Sequence, residues 1–125
     1  MHGSGAKILI VEDEFLIRLT LAEALRDEGF QVSEAGSGEE ALPLLAEESP
    51  IDLLVTDMQL GGALDGTGLA QAARRRRPAL PVVFMTGRAD GARQARSPND
   101  AFVAKPYVPS DISAAARRLI GRRDG

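Results

Sequence analysis

Four short apolar runs in this chain end at polar groups suited to handling a phosphoryl group: 8–11 at Glu12 and Asp13, 51–56 at Asp57, 82–85 at Thr86, and 101–104 at Lys105. A fifth run, 30–34, carries no such group. Two like charges about 4 Å apart repel by roughly 4 kcal/mol at an effective dielectric of about 20, so three carboxylates in one crevice require a counter-charge. Oxygen-only ligands with water completing the shell suit Mg²⁺, which also bridges to phosphate. The plainer reading of Glu12 and Asp13 is as anions at the positive start of a following helix; Asp57 beside them argues against it. Lys7 and Lys105 are the only lysines among 15 basic residues. A chain that otherwise uses arginine keeps a compact, mobile ammonium directly before Pro106.

These groups meet only if their runs are parallel strands of one sheet, whose carboxyl edge is where a doubly wound fold binds ligands. The spacing predicts a strand over 6–11, a helix over 13–29 stopped at Gly29, and a second strand over 30–34. Ser37 and Glu40 form a capping-box pattern, with Glu40 reaching back, and Pro43 predicts a late start or a kink in the helix that follows. A third strand over 51–56 leads through a glycine-rich loop, 59–66, to a helix over 67–77 halted by Pro78. The fourth strand covers 81–86, a short weak helix 90–96, and the fifth strand 99–104. A closing helix over 110–122 puts Ile112, Ala115, Ala116, Leu119 and Ile120 on one face. The pattern is (βα)5, an α/β parallel sheet covered on both faces.

The first helix carries two apolar stripes. Ile17, Leu21, Ala24 and Leu25 suit the core, while Phe15, Leu19 and Ala22 lie nearly opposite and are expected to face solvent. That second stripe reads either as a docking surface or as ordinary scattered surface apolar residues.

At 125 residues the chain fits one domain, expected over 6–122 with a flexible or vector-derived leader at 1–5 and a tail at 123–125. Eighteen acidic against 15 basic residues, one tyrosine and no tryptophan argue against nucleic-acid binding. The arginines at 74–77, 117–118 and 122–123 read as solvated helix ends complementing the helix dipole. Without cysteine there is no disulfide framework or thiolate metal site, and no apolar run nears the roughly 20 residues that span a bilayer. A cytoplasmic location is expected.

Val11-Glu12-Asp13-Glu14, Val55-Thr56-Asp57-Met58, Phe84-Met85-Thr86-Gly87 and Ala104-Lys105-Pro106, in that order and each at a strand end, resemble the receiver domain of two-component response regulators over residues 6 to about 121. The resemblance implies a doubly wound, five-stranded parallel sheet of flavodoxin-like order 2-1-3-4-5. It also implies a signalling switch that catalyses only its own aspartyl phosphorylation and dephosphorylation. Asp57 is then the phosphoacceptor, attacking the phosphohistidine of a sensor histidine kinase or histidine phosphotransfer protein. Asp13 and Asp57 would hold Mg²⁺ directly with the Gln59 backbone carbonyl, and Glu12 would act mainly through water. Lys105 would pair with Asp57 and then with the phosphoryl oxygens, and the Thr86 hydroxyl would donate to the same group. All of this is positioning and charge neutralisation. Phe102 matches the aromatic switch position, turning inward when Thr86 is drawn toward the phosphoryl group; its plain alternative is a core aromatic. Phe15, Leu19, Ala22, Pro106 and Tyr107 are the expected docking residues, and the domain is expected as a monomer or a phosphorylation-dependent dimer.

Three departures from the family pattern stand out. The loop after Asp57 lacks the usual proline and is one residue longer, which predicts greater mobility. The interval from Thr86 to Lys105 is two or three residues short, with 97–99 cutting into the expected fourth helix. No output domain follows the last helix, so a stand-alone receiver and a piece of a hybrid kinase or longer regulator are both open. Gln59 and Arg88, flanking the crevice, are expected to tune dephosphorylation. Among rivals, Gly36-Ser37-Gly38 mimics a dinucleotide fingerprint but follows the wrong strand and precedes two glutamates. A flavodoxin-like cofactor protein would need aromatics the chain lacks. An aspartyl-phosphate phosphatase would need an aspartate where Gln59 stands. A phosphorylation-independent docking module of the same fold is the remaining alternative.

Overall fold

A computed structural model describes residues 5–46, 50–87 and 97–124, with side chains up to residue 121. Its elements are β1 (Lys7–Val11), α1 (Phe15–Asp27), β2 (Gln31–Ala35), α2 (Gly38–Leu45), β3 (Leu53–Asp57), α3 (Gly66–Arg76), β4 (Val82–Thr86), β5 (Asp100–Ala104) and α4 (Pro109–Asp124). The strands form one parallel sheet in the order β2-β1-β3-β4-β5, the flavodoxin-like arrangement expected from the sequence. The helix expected at 90–96, Arg88, and the first four residues of the expected leader lie outside the described residues.

Strand pleating sends alternate side chains to opposite faces, and both faces are covered. Ile8, Ile10, Leu53, Val55, Val83 and Met85 pack under α1 and α4 with Leu21, Leu25, Ile112 and Leu119. Leu9, Val11, Leu54, Val82 and Phe84 pack on the other side under α2 and α3 with Ala41, Leu69 and Ala73. Every residue of β3 and β4 is buried, whereas the edge strands β2 and β5 are partly exposed. Burying each large aliphatic side chain contributes about 1.5–3 kcal/mol. This doubly covered slab is what makes the strand ends a rigid platform.

Four details differ from the expectations. The buried face of α1 is rotated by about 60° at 3.6 residues per turn. Ala22 is fully buried in the core, while Ile17 is 37% exposed. Ala22 therefore cannot dock a partner: its angular position lies only about 60° from Leu25, close enough to be swept under by the sheet. Helix α2 starts directly at Gly38 despite Pro43, because the Ser37 hydroxyl caps Glu40 N–H and Glu40 reaches back to Gly36 N–H. Pro43 then falls in the last turn of a helix only eight residues long. Arg74 and Arg77 are not merely solvated: Arg74 donates to the Leu80 and Asn99 carbonyls and pairs with Asp100 at 2.6 Å, and Arg77 donates to the Ile51 carbonyl. Arg75 and Arg76 remain exposed. Finally, α3 begins one residue early, capped by Asp65 accepting from Gly68 N–H at 2.8 Å.

Candidate functional site

The parallel register brings four chemically competent strand ends to one edge. Val11 is level with Thr56, Asp57 with Met85, and Thr86 with Ala104, so Glu12, Asp57, Thr86 and Lys105 emerge side by side. Backbone bonds extend the alignment past the strands, from Glu12 N–H to the Ala35 carbonyl and from Lys105 N–H to the Thr86 carbonyl at 2.7 Å. Glu12, Asp57 and Thr86 are buried to 1%, 4% and 3% exposure. Asp13 is exposed and Lys105 half-buried.

Glu12, Asp13 and Asp57 each place a carboxylate oxygen within 4.8 Å of the others. Lys105 Nζ lies 2.5 Å from Asp57 Oδ2, and Gln59 N–H donates to Asp57 Oδ1 at 2.9 Å. Gln59 is thus at the site through its amide. Glu12 Oε2 accepts Glu14 N–H, but Oε1 is buried without a hydrogen-bond partner. Such an atom is costly unless something else satisfies it. An all-oxygen set with one orphaned buried oxygen fits a hard divalent cation.

Protons are unevenly shared here. Burial pushes the Glu12 carboxyl up to about 7, helped by the neighbouring Asp13 carboxylate and by the Asp57 charge. The adjacent Glu12 carboxyl holds Asp13 below its ordinary value, with Gly61 N–H assisting. Of the two acids, Glu12 is the one that takes up a proton first as pH falls. For Lys105, burial disfavours the ammonium, but the Asp57 hydrogen bond and charge, with Glu12 and Glu14, outweigh it and raise its pKa. Because folded Glu12 holds its proton more tightly than in the unfolded chain, the stability it contributes is full below about pH 4.5 and is lost as pH rises through about 7. Glu12→Gln is expected to stabilise the metal-free protein by about 3 kcal/mol at most near pH 8 and little near pH 4. Thermal melts in chelator at the two pH values check it, and a variant less stable at the higher pH would refute it.

The glycine-rich loop is tied on both sides. Gly61 N–H donates to Asp13 Oδ2 at 3.2 Å, and Ala63 N–H to Glu39 Oε2 at 3.1 Å. Gly62 has a left-handed φ of 92°. These two hydrogen bonds anchor the proline-free loop to Asp13 and to α2. Gly66 presses against the strand end: a Cβ there would sit 2.9 Å from the Asp57 carbonyl carbon and from Met58 Cα, and closer still to the Asp57 oxygen.

Of the other sequence candidates, Phe102 is half-buried and stacks on Phe84, its register partner, with centroids 5.0 Å apart. Phe15 is 59% exposed and Leu19 half-buried. Pro106 and Tyr107 line a groove of about 490 Å³ with Leu16, Ile17, Lys105 and Pro109. Leu16 and Ile17 lie there because the buried face of α1 is rotated from the expected one, and Pro109 joins them from the start of α4. Burial pushes the Tyr107 phenol up to about 12, with the Glu12 and Asp57 charges adding to it. Among the described residues, no helix is long and apolar enough to cross a membrane.

Comparison with known proteins places this constellation. The response regulator receiver domain profile matches residues 8–117. The sensor kinase CckA of Brucella abortus is 31% identical over 126 residues, covering 98% of this chain and 13% of that protein. The transcriptional regulatory protein PdtaR of Mycobacterium tuberculosis is 38% identical over 120 residues, covering 93% of this chain and 57% of that one. The chain thus spans a small part to somewhat over half of these relatives. A receiver domain crystal structure from Clostridium thermocellum superposes with a TM-score of 0.85 at 29% identity, covering 95% of this chain and 97% of that one.

Proposed function

We propose, because this chain belongs to the response regulator receiver domain family, that Asp57 is the phosphoacceptor of a two-component signalling switch. The observation that carries this reading is the Asp57 carboxylate held between the Lys105 ammonium at 2.5 Å and two further carboxylates within 4.8 Å. In the transfer, an Asp57 oxygen forms a bond to phosphorus as the P–N bond to a phosphohistidine breaks, and the electron pair leaves with the imidazole nitrogen. Glu12, Asp13, Asp57 and the Gln59 carbonyl would hold Mg²⁺. When bound, the ion neutralises charge on the phosphoryl oxygens. Lys105 carries the second positive charge to those oxygens, and Thr86 donates its hydroxyl. Lys105 already stands 2.5 Å from Asp57, so its charge needs little reorganisation at the moment of reaction.

The new dianion then biases the surface. Drawing Thr86 and Lys105 toward Asp57 favours an inward Phe102, and the chain acts as a switch rather than a turnover enzyme. The exposed Phe15, the half-buried Leu19 and the groove at Pro106 and Tyr107 form the docking face for a sensor histidine kinase or histidine phosphotransfer protein, in the cytoplasm. Gln59, exposed and bonded to Asp57, tunes phosphoryl lifetime.

Incubating the chain with acetyl phosphate and Mg²⁺ tests the reading by intact mass and peptide mapping. One added phosphoryl group on the peptide carrying Asp57, lost when chelator replaces Mg²⁺, is the expected result. No gain, or a gain elsewhere, would overturn it.

A further inference from the structure

Arg18 lies on the first turn and a half of α1, and its side chain is only 17% exposed. Its Nη1 donates to the Glu12 backbone carbonyl at 2.9 Å, and its Nε donates to Glu34 Oε1 at 3.3 Å. Glu34 is held in turn by Arg26 at 3.3 Å, which also donates to the Val32 carbonyl. The Phe15 ring lies 5.4 Å from the Arg18 guanidinium carbon, and a cation over an aromatic ring adds attraction. Two hydrogen-bond acceptors and an aromatic ring thus hold one guanidinium.

What that guanidinium grips is the pivot of the acidic cluster. The Glu12 carbonyl and the Asp13 amide belong to one planar peptide, so orienting the carbonyl orients the exit of both acid-bearing residues. Gly36 belongs to the same packing: a Cβ there would meet Arg18 Nη1 at 3.2 Å. Asp57 already has Lys105 as its cation, so neutralising the acceptor carboxylate does not call for Arg18. A rigid planar fork that can hold Glu34 and the carbonyl together is something lysine cannot supply.

We infer that Arg18 is a positioning residue, which sets the Glu12–Asp13 peptide so that the acids converge on a divalent cation. The inference rests on the phosphoacceptor reading for its biological meaning, but cation affinity measures it directly. Partners one step removed from metal ligands typically change affinity by roughly 10- to 100-fold when lost.

Calorimetric titration of the full chain with Mg²⁺, without phosphodonor, tests it. Arg18→Met, which keeps the apolar stem, is expected to weaken Mg²⁺ binding about tenfold. Arg18→Lys, retaining one donor, should recover part of that loss. In acetyl phosphate assays run well below the melting temperature, where the metal-free variant is fully folded and Mg²⁺ cannot act by refolding it, the Arg18→Met deficit should shrink as Mg²⁺ is raised to saturation. If Arg18→Met does not fold, Glu34→Ala removes the acceptor of Arg18 Nε while leaving the guanidinium's bond to Glu12, and should weaken Mg²⁺ binding to a smaller extent. Unchanged Mg²⁺ affinity in the folded variant overturns the inference, whatever its melting temperature. A wild type that binds Mg²⁺ yet accepts no phosphoryl group counts against the phosphoacceptor reading alone.

Discussion

Asp57→Asn is expected to accept no phosphoryl group, while Lys105→Met keeps the acceptor and loses roughly 10²- to 10³-fold in uptake rate, the usual effect of deleting one preorganised charge donor. The two changes cut the same 2.5 Å pair from opposite sides. Their costs in stability should differ. Lys105→Met strands a carboxylate that is 4% exposed beside Glu12 and Asp13. Breaking a buried pair this way costs about 3–5 kcal/mol; because the Lys105 side chain is 34% exposed, solvent screening brings the expectation to about 2 kcal/mol. Asp57→Asn leaves an ammonium that water can reach, and its amide oxygen can still accept from Gln59 N–H, so the cost should be small. Mg²⁺ should restore much of the stability of Lys105→Met, because a bound cation replaces the missing charge. Intact mass with acetyl phosphate and thermal melts with and without Mg²⁺ measure both. A Lys105→Met variant that reacts as fast as wild type would show that the ammonium plays no part.

Gly66→Ala is expected to be the most damaging single methyl group in the described chain. Its φ is unremarkable; the obstacle is space. The added carbon would overlap the Asp57 carbonyl and press on Met58 Cα, and both neighbours are backbone. Either α3 retreats or the end of β3 moves, and overpacking of this kind costs about 3 kcal/mol. Because the displaced atoms belong to Asp57, phosphoryl uptake should fall as well. Gly121→Ala is the control: it is the same chemical change, made in α4, where nothing lies within 4 Å. It should stabilise by about 0.5–1 kcal/mol through helix propensity. Chemical denaturation of both variants checks the contrast, and a Gly66→Ala protein as stable as Gly121→Ala would refute the packing argument.

The acidic cluster could be read from sequence because the central strands are nearly continuous apolar runs, and each ends where its polar residue begins. Parallel pairing then does the rest, since level strand ends are a property of the sheet and not of any one motif. What escaped was whatever depends on rotation or reach. Spacing alone leaves the buried face of α1 free to rotate by enough to exchange Ala22 with Ile17. Arginines look alike in a row: nothing local distinguishes Arg74, which bonds to Asn99 and Asp100 far along the chain, from exposed Arg75. Arg18 gave no signal because its partners are a backbone carbonyl and a glutamate on the edge strand. Gly66 passed as one more loop glycine, although the crowding that requires it comes from Asp57, nine positions earlier.

The Phe84–Phe102 stack has a bearing on noise. Paired rings contribute about 1 kcal/mol beyond their buried area, a bias of roughly fivefold in a two-state population. If signalling needs Phe102 to leave that partner, spontaneous firing is held down by a neighbour on the adjacent strand, independent of any kinase. The set point of the idle device would then be written in its hydrophobic interior, and the phosphoryl group would have to overcome that threshold before any message is sent.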